Sequence, residues 1–232
     1  MNNKLLFEYH KELKEKFPSS KIDSSINVLD PYEDDKTIEN IEVFFDKYYE
    51  DNEHRTIILG INPGRFGAGV TGIPFTDPIY MDTELGIPNN YNKRHELSSQ
   101  YIYQMINDYG GPQKYYGDVV VSAVSPLGFE KEGKNLNYYD DKNLKNAIYD
   151  YSVYQLKKLI NIVGPQKSII SLGGGKNQKY LEDLNKKEKI ADEIVALPHP
   201  RYIMQYKRRY LKDYISNYIN TISSVVDQNR SI

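Results

Sequence analysis

The sequence predicts an α/β fold of three layers, α/β/α, around a central four-stranded parallel sheet. Three observations lead there. Four short apolar runs of strand length stand at residues 56–59, 119–123, 168–172 and 193–197. Helical periodicity fills the segments between them, and regular alternation of strand and helix gives parallel strands covered on both faces by right-handed crossovers. Each run also ends in chain rich in glycine, proline, serine or histidine, the chemistry expected outside the carboxyl ends of strands in an open sheet.

Taken in order, residues 4–17 read as an amphipathic helix stopped by Pro18. A polar stretch follows. A second helix spans residues 36–49, with Ile38, Ile41, Phe44 and Phe45 on one face. The strand at 56–59 opens into a glycine-rich loop, residues 60–78. A helix over 95–109 is closed by Gly110, Gly111 and Pro112, and leads to the strand 119–123 and a loop as far as Asn137. A long helix over 141–163 stops at Gly164-Pro165. The strand 168–172 runs into three glycines and a helix to about Lys187, and the strand 193–197 ends at Pro198-His199-Pro200. A helix over 204–226 closes the chain. With no repeat, linker or low-complexity tract, residues 1–232 are expected to form one domain, a helical N-terminal cover over 1–53 on a core over 54–232.

Composition narrows the chemistry. The 232 residues contain no cysteine, which removes disulfides, thiolate metal sites and a thiol nucleophile. The four histidines lack metal-binding spacing, so no metal is expected. Mean hydropathy is −0.66 and no run of apolar residues suits a membrane span. The first residues carry charge every few positions without a signal-peptide core, so a cytoplasmic protein is expected, by default a monomer. Net charge is −2 but uneven. Residues 30–53 hold ten acids against two lysines, whereas 198–212 hold Arg201, Lys207, Arg208, Arg209 and Lys212 with no acid. Such asymmetry suits one face that meets a polyanion, and equally two solvated helices of opposite sign. The 22 tyrosines fall mostly at helical spacing and read as amphipathic packing.

Gly173-Gly174-Gly175 satisfies neither phosphate-binding pattern, since Ile170, Asn177 and Gln178 occupy required positions; a tight strand-to-helix turn accounts for it. The loop GINPGRFGAGVTGIPFTDP is different. Five glycines, three prolines and only two formal charges, Arg65 and Asp77, fit a rigid loop that holds backbone against a ligand. Asn62 stands just past the strand, where an amide can orient water, and Phe75 can wall a flat pocket. His199, bracketed by prolines at a strand end, is read as functional; His10, His54 and His95 are read as structural. Asp77 has two readings, water activation and, preferred, a helix cap or turn.

These residues resemble the uracil-DNA glycosylase superfamily, closest to its bacterial single-strand-selective monofunctional (SMUG)-like branch. The first loop is similar to the GMNPG-type motif followed by TG-V-PF; SPLGFEKEGKNL, residues 125–136, is similar to a second segment; and HPR at 199–201 is similar to the second motif, HPSPR. The resemblance implies a uracil-DNA glycosylase-like fold and a cofactor-free DNA glycosylase acting in base-excision repair on a flipped deaminated base. Uracil is the foremost candidate, with xanthine and hydroxymethyluracil as others, and no strand cutting is implied. It makes Asn62 the group that positions water, His199 the donor to the base carbonyl and Phe75 the stacking face, with Ile61 and Gly64 lining the pocket. Arg201 and Tyr202 fall in a rebuilt wedge loop that enters the duplex, and Lys207, Arg208 and Arg209 would hold DNA phosphates.

Two departures stand out. The family's base-reading asparagine aligns with Ala123, which leaves Ser122, Ser125 or a roomier pocket to take its place. The second motif is HPRY, two residues shorter before the arginine. The first departure gives weight to an alternative, a catalytically weak protein of the same fold that binds damaged or abasic DNA. An enzyme acting on free nucleosides would share the pocket without needing the basic cluster.

Overall fold

The computed structural model describes residues 3–51 and 53–231; Met1, Asn2, Asn52 and Ile232, the two ends of the expected domain among them, lie outside the described residues. Seven strands occur along this chain: β1 (Ile26–Leu29), β2 (Thr56–Gly60), β3 (Val119–Ala123), β4 (Gly128–Lys131), β5 (Lys134–Asn135), β6 (Ser168–Leu172) and β7 (Glu193–Leu197). Four of them form the expected parallel sheet in the order β3-β2-β6-β7, with Gly60 opposite Ala123 and Leu172 opposite Leu197. The carboxyl ends of all four strands therefore share one edge. Ile57, Ile58 and Leu59 of β2 are completely buried, each side chain contributing about 1.5–3 kcal/mol of transfer free energy. At the opposite edge Asn229, from the last helix, bonds to Thr56, Gln166 and both backbone groups of Ser168, which locks β2 and β6 together.

A second, antiparallel sheet in the order β1-β4-β5 was not expected. Its strands are four, four and two residues long and mostly half-exposed or exposed, so they leave no apolar run to read. It corrects the picture of an all-helical cover, because β1 belongs to the first 53 residues yet pairs with β4.

Three helices differ from expectation. The first is Asn3–Lys11 rather than 4–17. The chain leaves it because other groups take its carbonyls: Leu13 O accepts from the Tyr151 hydroxyl and Gln155, and Glu15 O from Gln155. The helix over 141–163 divides into Lys142–Ala147 and Tyr149–Val163 at Ile148, a side chain fully buried in the core with no glycine or proline to announce the bend. The last helix starts early and is interrupted. Pro200–Tyr206 begins directly after His199, a one-turn 3₁₀ segment Arg208–Tyr210 follows, and Leu211–Arg230 completes it. Proline suits the first helical position. An unbroken helix would stack Arg208 on Lys212 one turn apart, a like-charge pair that disfavours it. Short helices Ala68–Thr71, Pro78–Thr83 and Pro112–Asp118 complete the fold. Among the described residues no helix is long and apolar enough to cross a membrane, and no group of three metal-ligating side chains occurs.

Candidate active site

A cavity of about 450 Å³ opens at the carboxyl edge of the parallel sheet. Gly60 and Ala123 reach it from the ends of β2 and β3, and His199 from just beyond β7. Ile61, Asn62, Gly64, Phe75 and Ser122 line it as the sequence implied, with Arg201 and Tyr202 at the exposed side.

The Asn62 amide is held from both ends. Its Nδ2 donates to Leu136 O at 3.2 Å and Pro63 O at 3.4 Å, while Oδ1 accepts from the Tyr138 N–H at 3.1 Å. Both donors point to backbone, so the group that remains to meet water is the second lone pair of Oδ1.

His199 is the N-cap of Pro200–Tyr206, and its Nδ1 accepts from the Arg201 N–H at 3.1 Å. That bond places the single imidazole proton on Nε2 and makes it a donor. Burial, reinforced by the Arg201 charge, holds the imidazole well below its usual value, at about 4, so the ring is neutral at physiological pH. The Phe75 ring lies 6.1 Å from the His199 ring. Phe75 itself sits at φ +55°, a conformation costly for a bulky residue and held here by the surrounding structure. Gly60 makes this arrangement possible, since a Cβ there would stand 2.9 Å from Phe75 Cζ.

Other candidates go elsewhere. Ser125 does not border the cavity; it is fully buried and its hydroxyl donates to Leu127 O at 2.8 Å. Ser122 does line the cavity, with its hydroxyl also bonded to Tyr9. Asp77 is buried outside the lining, and its oxygens accept from the N–H groups of Ile79, Tyr80 and Glu96. It caps Pro78–Thr83, which leaves it no water to activate. Gly173 and Gly175 take positive φ in a strand-to-helix turn, and neither belongs to the cavity lining. The segment after His199 is helical rather than a wedge loop, and Lys207, Arg208 and Arg209 lie beyond the cavity mouth without ion-pair partners among the described residues.

Sequence reasoning missed three contributors. Glu96 precedes the helix Leu97–Tyr109 but makes no capping bond with its side chain. Its carboxyl lies instead against the glycine loop, where a Cβ on Gly64 or Gly67 would fall 2.6 or 2.1 Å from its oxygens. Burial, opposed by Arg201 and aided by Asp77, pushes it up to about 7. His10 also borders the cavity, so His199 is not the only histidine at this edge. Tyr206 stands at the mouth, 71% exposed, with its ring 5.5 Å from that of Tyr202. An aromatic pair one helical turn apart was a readable signal, lost among so many tyrosines.

Comparison with known proteins bears on this geometry. Residues 47–223 match the model of the uracil DNA glycosylase superfamily. Among solved structures the chain is similar to wild-type SMUG2 from Pedobacter heparinus, at 38% identity and a TM-score of 0.91 over 97% of this chain and 98% of that one. Nothing among curated proteins matches the chain.

Proposed function

The chain belongs to the uracil DNA glycosylase superfamily, and from that premise we propose that it is a monofunctional glycosylase that hydrolyses the N-glycosidic bond of a flipped deaminated base, uracil foremost, in DNA. The observation that carries this reading is the fixed tautomer of His199, a neutral ring with its one proton on Nε2 in the cavity that Asn62 and Phe75 also line.

A base inside a duplex is out of reach, so it is extruded at a cost of about a few kcal/mol and held by stacking and edge hydrogen bonds. Phe75 supplies the stacking face. As the C1′–N bond breaks, its electron pair leaves with the base and positive charge grows on the sugar. The Nε2–H of His199 donates to the base carbonyl where negative charge collects; one such preorganised donor is worth about 2.7–4 kcal/mol in other enzymes. A neutral donor suits this step, because its proton is not lost to the base as a free imidazolium proton would be. Asn62 cannot take up a proton, so it orients water through Oδ1, and bond breaking runs ahead of water attack. The water oxygen then bonds to C1′ and its proton goes to solvent or to the departed base.

No lysine lines the cavity among the described residues, which favours hydrolysis without a Schiff base and hence without strand cutting. Tyr202, Tyr206 and Arg201 at the mouth suit contact with the duplex, with Lys207, Arg208 and Arg209 on the phosphates.

Alkaline cleavage of end-labelled oligonucleotides carrying uracil, hydroxymethyluracil, xanthine or hypoxanthine tests the reading. Base release by the wild type that drops at least about 100-fold in His199→Ala is expected. Binding of abasic duplex with no release from any of them would instead support the binding-protein alternative, which the alanine at position 123 favours.

A further inference from the structure

We propose that His10 reads the base: its Nε2 accepts the ring N–H that lies next to the carbonyl held by His199, so that two histidines of opposite tautomer select the lactam edge of a deaminated base. The inference rests on the glycosylase reading above and adds a specificity-determining residue to it.

The geometry starts with the first helix. His10 Nδ1 lies 2.7 Å from Leu6 O, one turn back on Asn3–Lys11. A carbonyl only accepts, so Nδ1 carries the proton and Nε2 presents a lone pair. Burial holds this imidazole low as well, at about 4, so no second proton competes for that lone pair near neutrality. The ring cannot turn freely, because Phe45 packs 4.7 Å and Tyr9 5.1 Å from it, centroid to centroid. His10 is only 3% exposed and borders the same cavity as His199. Its bonded edge faces its own helix, and the opposite edge leaves Nε2 without a hydrogen-bond partner among the described residues. That atom is not sealed from solvent, so it is free to accept from a ligand in the cavity.

His199 is the mirror case. Its Nδ1 is consumed by the Arg201 N–H, and Nε2–H is left to donate. One donor and one acceptor, each fixed by backbone, match a base that carries a carbonyl and an N–H side by side. Uracil, xanthine and hypoxanthine have that edge. Neutral cytosine and adenine do not, since the ring nitrogen beside their amino group is an acceptor, and it would meet the lone pair of His10. The pair thus separates uracil from cytosine and hypoxanthine from adenine. Thymine and guanine share the lactam edge and are left to be sorted by shape. Because residue 123 is alanine, with no polar side chain, a lining residue from the first helix supplies this reading instead.

The test compares single-turnover base release from DNA containing uracil with that from DNA containing 3-methyluracil, which has no ring N–H, by wild type and by His10→Phe. Wild type should release 3-methyluracil at least about tenfold more slowly than uracil, and His10→Phe should slow uracil release by about tenfold to a hundredfold. Affinity for abasic duplex, where there is no base to read, reports whether the variant is folded. The methylated substrate needs no variant at all. Equal release of the two bases by wild type, or wild-type uracil release by a folded His10→Phe, would overturn the assignment. Failure of wild type to release any base would instead overturn the glycosylase reading beneath it.

Discussion

Oδ1 of Asn62 accepts the backbone N–H of Tyr138 at 3.1 Å, which ties the first loop of the site to the chain between β5 and the helix Lys142–Ala147. The same amide donates to Leu136 O, so one side chain closes the pocket wall and, in the proposed mechanism, offers its remaining lone pair to water. Asn62→Ala removes all of this. Misplacing a reacting group by about 1 Å costs on the order of 100-fold in rate, and a fall of at least that size in single-turnover uracil release is expected. Abasic-duplex binding serves as the measure of an intact fold. Unchanged release would take Asn62 out of the mechanism.

Glu96 gives the cavity a pH dependence. Burial raises its carboxyl to about 7, against the pull of Arg201 and with help from Asp77. Below that pH the group is neutral; above it, a negative charge stands in the cavity where, in the proposed reaction, the departing base becomes an anion. Base release should therefore slow as pH rises through about 7 in the wild type and stay flat across the same range in Glu96→Gln. A pH–rate profile from 5.5 to 9 decides it: the same alkaline limb in both proteins would assign that limb to another group.

The two cavity histidines act on stability in the acid range. Both are held at about 4 from an ordinary 6.5, first by burial. Between those values the unfolded chain binds protons that the folded chain refuses, so the stabilisation from keeping them neutral is complete above about 6.5 and is lost as pH falls toward 4. Urea midpoints should decline from pH 7 to pH 4.5, and decline less steeply in the double variant His10→Phe, His199→Phe. Parallel declines would mean that neither ring resists protonation.

What was legible in the sequence follows from the physics of each element. Three of the parallel strands stand out because their burial demands largely apolar runs, and the mostly half-buried edge strand β7 still keeps the apolar stretch Ile194 to Leu197; all four match the expected runs to within one residue. The edge bearing Asn62, Phe75 and His199 was legible for the same reason, since it follows from where those runs end. The antiparallel sheet was not, because half-exposed strands of two to four residues carry no period. Ser125 looked available only because a sequence does not show which hydroxyl the backbone will claim, whereas Asp77 takes the helix-cap role that its place before Pro78 favoured. His10 and Glu96 were invisible for a complementary reason. Each reaches the site from an element distant in sequence, and only the glycines at 64 and 67 hinted that a side chain from elsewhere needed room.

On the proposed function, the basic cluster and the exposed tyrosines should make separable contributions to DNA binding. Lys207, Arg208 and Arg209 have no ion-pair partners among the described residues and follow Tyr206 of the cavity lining in the chain that interrupts the last helix. Contacts of this kind neutralise phosphates without reading sequence. Replacing all three by alanine should weaken binding on every sequence and reduce the slope of log affinity against log salt by about 2–3. Tyr206, largely exposed beside Tyr202, offers instead a ring to fill the gap that an extruded base leaves. Tyr206→Ala should keep the salt slope and lose base release from duplex more than from single strands, which have no stack to refill. Salt titrations of binding with paired duplex and single-strand release assays distinguish the two effects. A salt slope unchanged in the triple variant would place the phosphates on another face, and equal losses on both strand forms in Tyr206→Ala would make that ring a base contact rather than a wedge.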